Sequence, residues 1–318
     1  MRPGDGKDGK GRSVGLFLFL LFFSMLTLAG CVHSKTKLEL AETHYNLGNA
    51  YAELGELEKA AQAYLRAVEL DPSLRRAGYQ MALVYIEAEE YEKAEEQLTS
   101  LLSKDPDNQK VKENLAWLYI RSGRDKEARD LYSEILERNP ADCDVRYNLA
   151  LLDAEEHAWE SVRENLYNCV RYETADAEIF RLLGKAELES GGERGVEYLE
   201  RAYERDSSLS GIEKELASAY RNAEQYDRAV ELYDRIAGKA EDPEEAGEYY
   251  FKKAYLYFTA IEDYEQGEDE LVKALESGFS DTEECAELLS YPGLLDPERI
   301  ADILEENDIE LTEEQLEN

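Results

Sequence analysis

From Ala41 onward the chain superposes on itself at a shift of 34 residues. Tyr45, Tyr79, Glu113 and Tyr147 share one tooth of this comb, and Tyr51, Tyr85 and Tyr119 share another. Ala60, Ala94 and Ala128 form a third, and Pro72, Pro106 and Pro140 a fourth. A fixed period of this length implies one supersecondary unit repeated side by side, because a single unit has too little core and must bury its apolar face on neighbours. Within each unit the apolar residues recur at helical spacing in two blocks, YNLGNAYAELG and KAAQAYLRAVELD in the first, with a short Gly-containing turn between them. The unit is therefore a helix hairpin. Asp71-Pro72, Asp105-Pro106 and Asn139-Pro140 close each second helix, since proline disfavours the helical conformation of the residue before it and donates no hydrogen bond.

The pattern resembles the tetratricopeptide repeat, whose signature is a small residue at position 8, Tyr at 11, Ala at 20, an aromatic at 24, Ala at 27 and Pro at 32. Residues 41–74 carry Leu47, Gly48, Tyr51, Ala60, Tyr64, Ala67 and Pro72. Residues 75–108 keep Ala82, Tyr85, Ala94 and Pro106, and 109–142 keep Ala116, Tyr119, Ala128, Tyr132 and Pro140. The fourth unit, 143–176, departs from the pattern with Asp153, Val162 and Thr174 at signature positions. The fifth, 177–209, has lost one residue but keeps Gly184 and Ala202; the sixth, 210–243, is clear in Leu216, Ala217, Tyr220, Ala229 and Tyr233. A seventh, 247–280, shows Ala254, Tyr257 and Ala274 with one extra residue in its turn. The resemblance implies an all-α fold: a right-handed superhelical solenoid of about seven hairpins. Small residues at positions 8 and 20, such as Gly48 with Ala60, let the two helices of a hairpin approach closely. Residues 281–290 and 297–306 read as helices capping the open end of the stack, and 307–318 as a loose acidic tail.

Ahead of the repeats lies a different kind of segment. Arg2, Lys7, Lys10 and Arg12 precede an unbroken apolar run from Val14 to Gly30, the layout of a secretory signal peptide. Leu28-Ala29-Gly30-Cys31 resembles the bacterial lipobox, which implies removal of residues 1–30 and acylation of Cys31. The alternative is an uncleaved anchor, although the run is short for a spanning helix. Residues 31–40 then form a tether, and Val32 after the lipid cysteine, in place of Asp, implies outer-membrane sorting with the repeats in the periplasm. The strings Gly4 to Gly9, Gly4 to Lys10 and Gly11 to Gly15 match dinucleotide, phosphate-loop and nucleophile-elbow patterns only as letters, and Gly11 stands where the phosphate loop needs Ser or Thr. No strand–turn–helix context surrounds them, and they sit in the leader.

The charge is −36, and loss of the leader takes four basic and two acidic residues with it, leaving −38. A field of that sign excludes nucleic acid as a partner. Disorder is excluded too, because 43 % apolar residues and 22 Tyr supply a large core, and the Tyr abundance needs no cofactor to explain it. His44 and His157 show no metal-ligand or nucleophile–base spacing, and no EF-hand loop occurs, so no catalytic residue, metal or cofactor is expected. Cys143 and Cys169 fall in the two helices of one repeat and are near enough to pair. Buried free thiols are common, and free thiols are the expectation for both and for Cys285.

In arrays of this family the first helix of each hairpin lines a concave face through positions 2, 5, 9, 12 and 13. Here those positions hold Tyr45, Tyr79, Leu83, Ile86, Trp117, Ile120, Tyr147 and Leu151, alongside Asn49, Glu53, Glu113 and Glu155. Exposed aromatic and apolar patches mark partner sites; the competing reading is that these side chains cover one another. Further along the same slots turn basic with Arg181, Lys185, Lys214 and Arg221, which suit an acidic peptide or carboxylate unless neighbouring Glu residues neutralise them. The expectation is a non-catalytic, membrane-anchored adaptor of the cell envelope that binds a peptide or helix of a protein partner. A small-ligand-binding accessory subunit of a solute-uptake system is the alternative.

Overall fold

The computed structural model describes residues 36–312. Cys31, the leader and the end of the acidic tail lie outside these residues, and no strand occurs among them. Two compact units divide the chain, one up to Pro140 and one from Ala141. The first contains α1 (36–53), α2 (Leu57–Leu70), α3 (Arg75–Glu87), α4 (Tyr91–Lys104), α5 (Gln109–Arg121) and α6 (Asp125–Arg138). These are three antiparallel hairpins, each packed on the next. The second contains α7 (Cys143–Glu155), α8 (Trp159–Arg171), α9 (Ala177–Glu189), α10 (Gly195–Arg205), α11 (Ile212–Asn222), α12 (Tyr226–Lys239), α13 (Pro243–Leu256) and α14 (Tyr264–Glu276), four more hairpins, followed by α15 (Thr282–Leu289) and α16 (Pro297–Glu306).

Close approach governs each hairpin. Ala82, Ala116, Ala150 and Ala217 at position 8 and Ala60, Ala94, Ala128 and Ala229 at position 20 have no solvent exposure at all. In the first hairpin the tight contact differs from the expected Gly48–Ala60 pair: a Cβ on Gly48 would fall 2.5 Å from the ring of Tyr64. Glycine there makes room for a buried aromatic on the opposite helix. Tyr64, Leu98, Tyr132 and Leu166 repeat that plug every 34 residues. The position-11 tyrosines are partly buried and each is covered by a cation from the following helix or turn: Lys59 over Tyr51 at 5.5 Å, Lys93 over Tyr85 at 5.4 Å and Arg124 over Tyr119 at 4.1 Å.

Between the two helices of a hairpin the chain passes through a left-handed residue. Gly55, Gly123 and Gly191 take φ of 70°, 70° and 72°, but the same turn carries Glu89, His157 and Glu224 at 57°, 54° and 59°. His157 thus lies in a turn, not in a helix. Side chains in this conformation cost roughly 1 kcal/mol through the Cβ–carbonyl clash that glycine lacks. Glu89→Gly is expected to stabilise the first unit by about 0.5 kcal/mol or more in a denaturant titration, and Gly55→Ala to destabilise it by about 1 kcal/mol.

The fourth repeat replaces the missing signature with other bonds. Asp153, standing where tyrosine is expected, is buried and accepts a hydrogen bond of 3.0 Å from Asn165 Nδ2. Cys143 and Cys169 form a disulfide with Cα atoms 5.5 Å apart, and the Thr174 hydroxyl lies 2.9 Å from Cys143 Sγ. The expectation of free thiols at these positions is therefore wrong. The two residues face each other across α7 and α8, at positions held in the first three repeats by Ala41 and Ala67, Arg75 and Leu101, and Gln109 and Ile135. Among the described residues Cys285 is the one free cysteine, buried in the cap, with burial raising its thiol pKa to about 12. Closing a loop of 26 residues removes unfolded-chain entropy worth about 3 kcal/mol, so Cys143→Ser is expected to lower stability by about that amount. Alkylation of the denatured, unreduced chain should mark Cys285 and spare Cys143 and Cys169.

The extra residue of the seventh repeat is absorbed as one π-helical turn, Tyr257–Ile261, at the end of α13. The cap forms as expected: Cys285, Leu288, Ile300, Ile303 and Leu304 share a core with Phe251, Phe258 and Leu271. Its tail is less loose than its composition implies, because Ile309 and Leu311 pack on that core. At the other end, α1 is already helical at residue 36, so the segment after Cys31 is about half the expected length. No helix among the described residues is long and apolar enough to cross a membrane.

Candidate functional site

The first helices of the hairpins carry the expected partner residues, and the two units treat them differently. In the first unit the competing reading holds for the tyrosines. Tyr45 lies with its ring 5.9 Å from that of Tyr64 and under the Arg76 guanidinium at 4.7 Å, while the Tyr64 hydroxyl donates to Asn49 Oδ1 at 2.7 Å. Tyr79 accepts a 2.9 Å hydrogen bond from Asn114 Nδ2 of α5. Leu83, Ile86 and Ile120 are half-buried. Trp117 stands apart: it is 41 % exposed, with only the Arg121 guanidinium near its ring at 5.7 Å. An indole that open on a face otherwise closed by its own side chains is the natural anchor point for a partner.

In the second unit Tyr147 packs on the core, and burial together with Glu178 raises its hydroxyl pKa to about 12. Leu151 is 40 % exposed. Three of the four basic slots are already engaged. Arg181 makes a bidentate pair with Glu215, its Nε 2.8 Å from Oε2. Lys214 Nζ is 2.6 Å from Glu245, and Lys185 Nζ sits 5.6 Å over the Trp159 ring. Arg221 is exposed and makes no ion pair among the described residues.

Arg221 also borders a cavity of about 480 Å³ that the sequence reading missed. Tyr226 of α12, Phe251 and Tyr255 of α13, Thr259 of the π turn and Glu284, Glu287 and Tyr291 of the cap line the rest. The Tyr291 hydroxyl donates to the Thr259 carbonyl at 2.9 Å, tying the cap to the π turn. Burial raises the pKa of Glu284, and the Tyr255 hydroxyl pKa is raised by burial and by Glu287. One wall is thus cationic, the lining aromatic and the far wall acidic. Phe251 and Tyr255 occupy positions 5 and 9 of the seventh repeat, on the expected face, whereas Tyr291-Pro292-Gly293, which completes the cavity from the cap, reads in the sequence only as a break. A second cavity of about 470 Å³ beside Lys214 and Glu213 has its charges matched already, Lys214 by Glu245 and Glu213 by Lys239 at 2.8 Å. No cluster of three His, Cys, Asp or Glu placed to hold a metal occurs among the described residues.

Sequence models described as tetratricopeptide repeat match residues 41–74, 85–152 and 214–252. These segments are tetratricopeptide repeats. The Trp117 and Arg221 faces therefore both belong to matched tetratricopeptide segments, whereas the disulfide-closed hairpin is matched only in its first helix. Among solved structures, the C-terminal part of a tetratricopeptide-repeat protein from Cytophaga hutchinsonii superposes with a TM-score of 0.61 at 14 % identity, over 82 % of this chain and 99 % of that one. A tetratricopeptide repeat protein from Parabacteroides merdae gives 0.54 at 15 % identity, over 85 % and 99 %. At such identities the likeness is one of fold. No curated protein matches the chain.

Proposed function

We propose that this chain is a non-catalytic scaffold of the bacterial cell envelope, held to a membrane by acylated Cys31 and binding protein partners through the first-helix faces of its tetratricopeptide repeats. The observation that carries the reading is selective exposure. Most expected groove residues contact other side chains of the protein, whereas Trp117 and Leu151 are 41 % and 40 % exposed and Arg221, beside an aromatic cavity, makes no ion pair among the described residues. An apolar side chain suits Trp117 and Leu151, and a carboxylate-bearing segment suits Arg221. The disulfide supports export, because such bonds persist in oxidising compartments. Val32 supports the outer membrane as destination and the periplasm as working compartment.

The cavity also favours a second reading, a small-ligand-binding accessory subunit of a solute-uptake system, since about 480 Å³ lies within the size range of ligand pockets. A thermal-shift screen separates the two: a scaffold is not stabilised by metabolites.

Trp117→Ala and Arg221→Glu are each expected to weaken partner capture from solubilised envelope by about tenfold. Lys214→Glu, whose cation already has a partner, is expected to change it far less. Unaltered capture in both of the first two variants contradicts the proposal. For the anchor, Cys31→Ser is expected to abolish incorporation of radiolabelled palmitate, and persistent labelling contradicts acylation at that residue.

A further inference from the structure

The outward face of α1 is apolar in a way the repeat does not require. At position 7 the later repeats bury Met81, Leu115, Leu183 and Leu216, each in a core shared with the preceding hairpin of its own unit. The equivalent Leu47 is 41 % exposed, since no hairpin precedes it among the described residues. An end repeat is ordinarily made polar on this side. Here the reverse has happened. Leu40 stands where α5, α7 and α9 have a capping Asn or Asp, and Leu54 where the matching turns carry Ser122, Glu156 and Ser190. Leu40 is 45 % and Leu54 72 % exposed, and with Leu47 they fall seven residues apart along one stripe. Between them lie Thr43 and Ala50, both exposed and uncharged, and the Thr43 hydroxyl donates to the Glu39 carbonyl of its own helix at 2.8 Å.

We propose that this stripe rests on the membrane to which the chain is anchored, so that α1 lies flat in the headgroup region. The inference depends on acylation of Cys31. Residue 36 is five steps along the chain from Cys31, at most about 17 Å of extended chain, which keeps the start of α1 beside the acyl chains. That tether alone permits an upright helix or a flat one. Leu54 decides between them, because it lies roughly 21 Å along the helix axis from Leu40 and reaches lipid only if the axis runs parallel to the surface. Glu39 and Glu53 beside the stripe, on a chain of net charge −36, suit a zwitterionic bilayer and oppose an anionic one or a second copy of the chain.

The test uses the acylated mature protein carrying Leu40→Cys or Leu54→Cys, labelled with a small fluorophore and reconstituted in phosphatidylethanolamine–phosphatidylcholine vesicles with brominated acyl chains. Both substitutions are at exposed positions, and the remaining free thiol, Cys285, is buried. Quenching by the brominated lipid is expected at both sites, within about twofold of each other. A label at 54 that lipid leaves unquenched overturns the proposal, whether aqueous iodide reaches it, as for an upright helix, or fails to reach it, as for a face covered by a second copy. Flotation of the same sample with the vesicles separates the two levels: protein that does not float removes the anchor and this inference with it, and protein that floats with an unquenched label at 54 removes only the contact.

Discussion

The structure depends on how closely two helices of one hairpin can approach. Alanine or glycine at position 8 and alanine at position 20 bring the helices near enough for a single aromatic or leucine, such as Tyr64, Leu98 or Tyr132, to plug the gap. Everything else follows from that spacing. Hairpins of one thickness stack in register, the second-helix ends fall on the Asp-Pro and Asn-Pro steps, and the first helices present a fixed set of positions on one face. Where the spacing residues fail, another constraint substitutes, as the disulfide and the Asp153–Asn165 hydrogen bond do in the fourth repeat.

Charge has a similar logic. The acidic excess does not leave the basic residues free; it consumes them. Arg181 and Lys214 pair with Glu215 and Glu245 of the next hairpin's first helix, so they join neighbouring repeats. In the second unit the buried Lys253 lies 2.9 Å from the equally buried Glu270 and 2.8 Å from the exposed Asp234, so loss of Glu270 would leave a buried cation with one solvent-exposed partner. Arg221, exposed beside an aromatic cavity, is among the described cations that make no ion pair.

Most of the fold was legible because the period is a packing requirement: Ala60, Ala94 and Ala128 announce the close approach, and the prolines announce the helix ends. The cap helices were legible for the same reason. Three features were hidden. The disulfide could not be read, since spacing brings Cys143 and Cys169 onto facing helices without saying whether they bond. The start of α1 was set too late because its first residues lie before the repeat frame. The cavity beside Arg221 was missed because its far wall comes from the cap, where Tyr291-Pro292-Gly293 reads only as a break between helices. Of the face residues, Trp117, Leu151 and Arg221 remain available, while Tyr45, Tyr79, Arg181 and Lys214 spend their contacts within the protein.

The close-approach constraint is open to a direct measurement. Ala116 of α5 and Ala128 of α6 are fully enclosed, so Ala116→Leu forces extra atoms between helices that have no space for them. Equilibrium unfolding of this variant is expected to show a loss of about 1–3 kcal/mol, with hydrogen exchange accelerated first in α5 and α6. A variant as stable as the parent, with unchanged protection in those helices, would contradict the account.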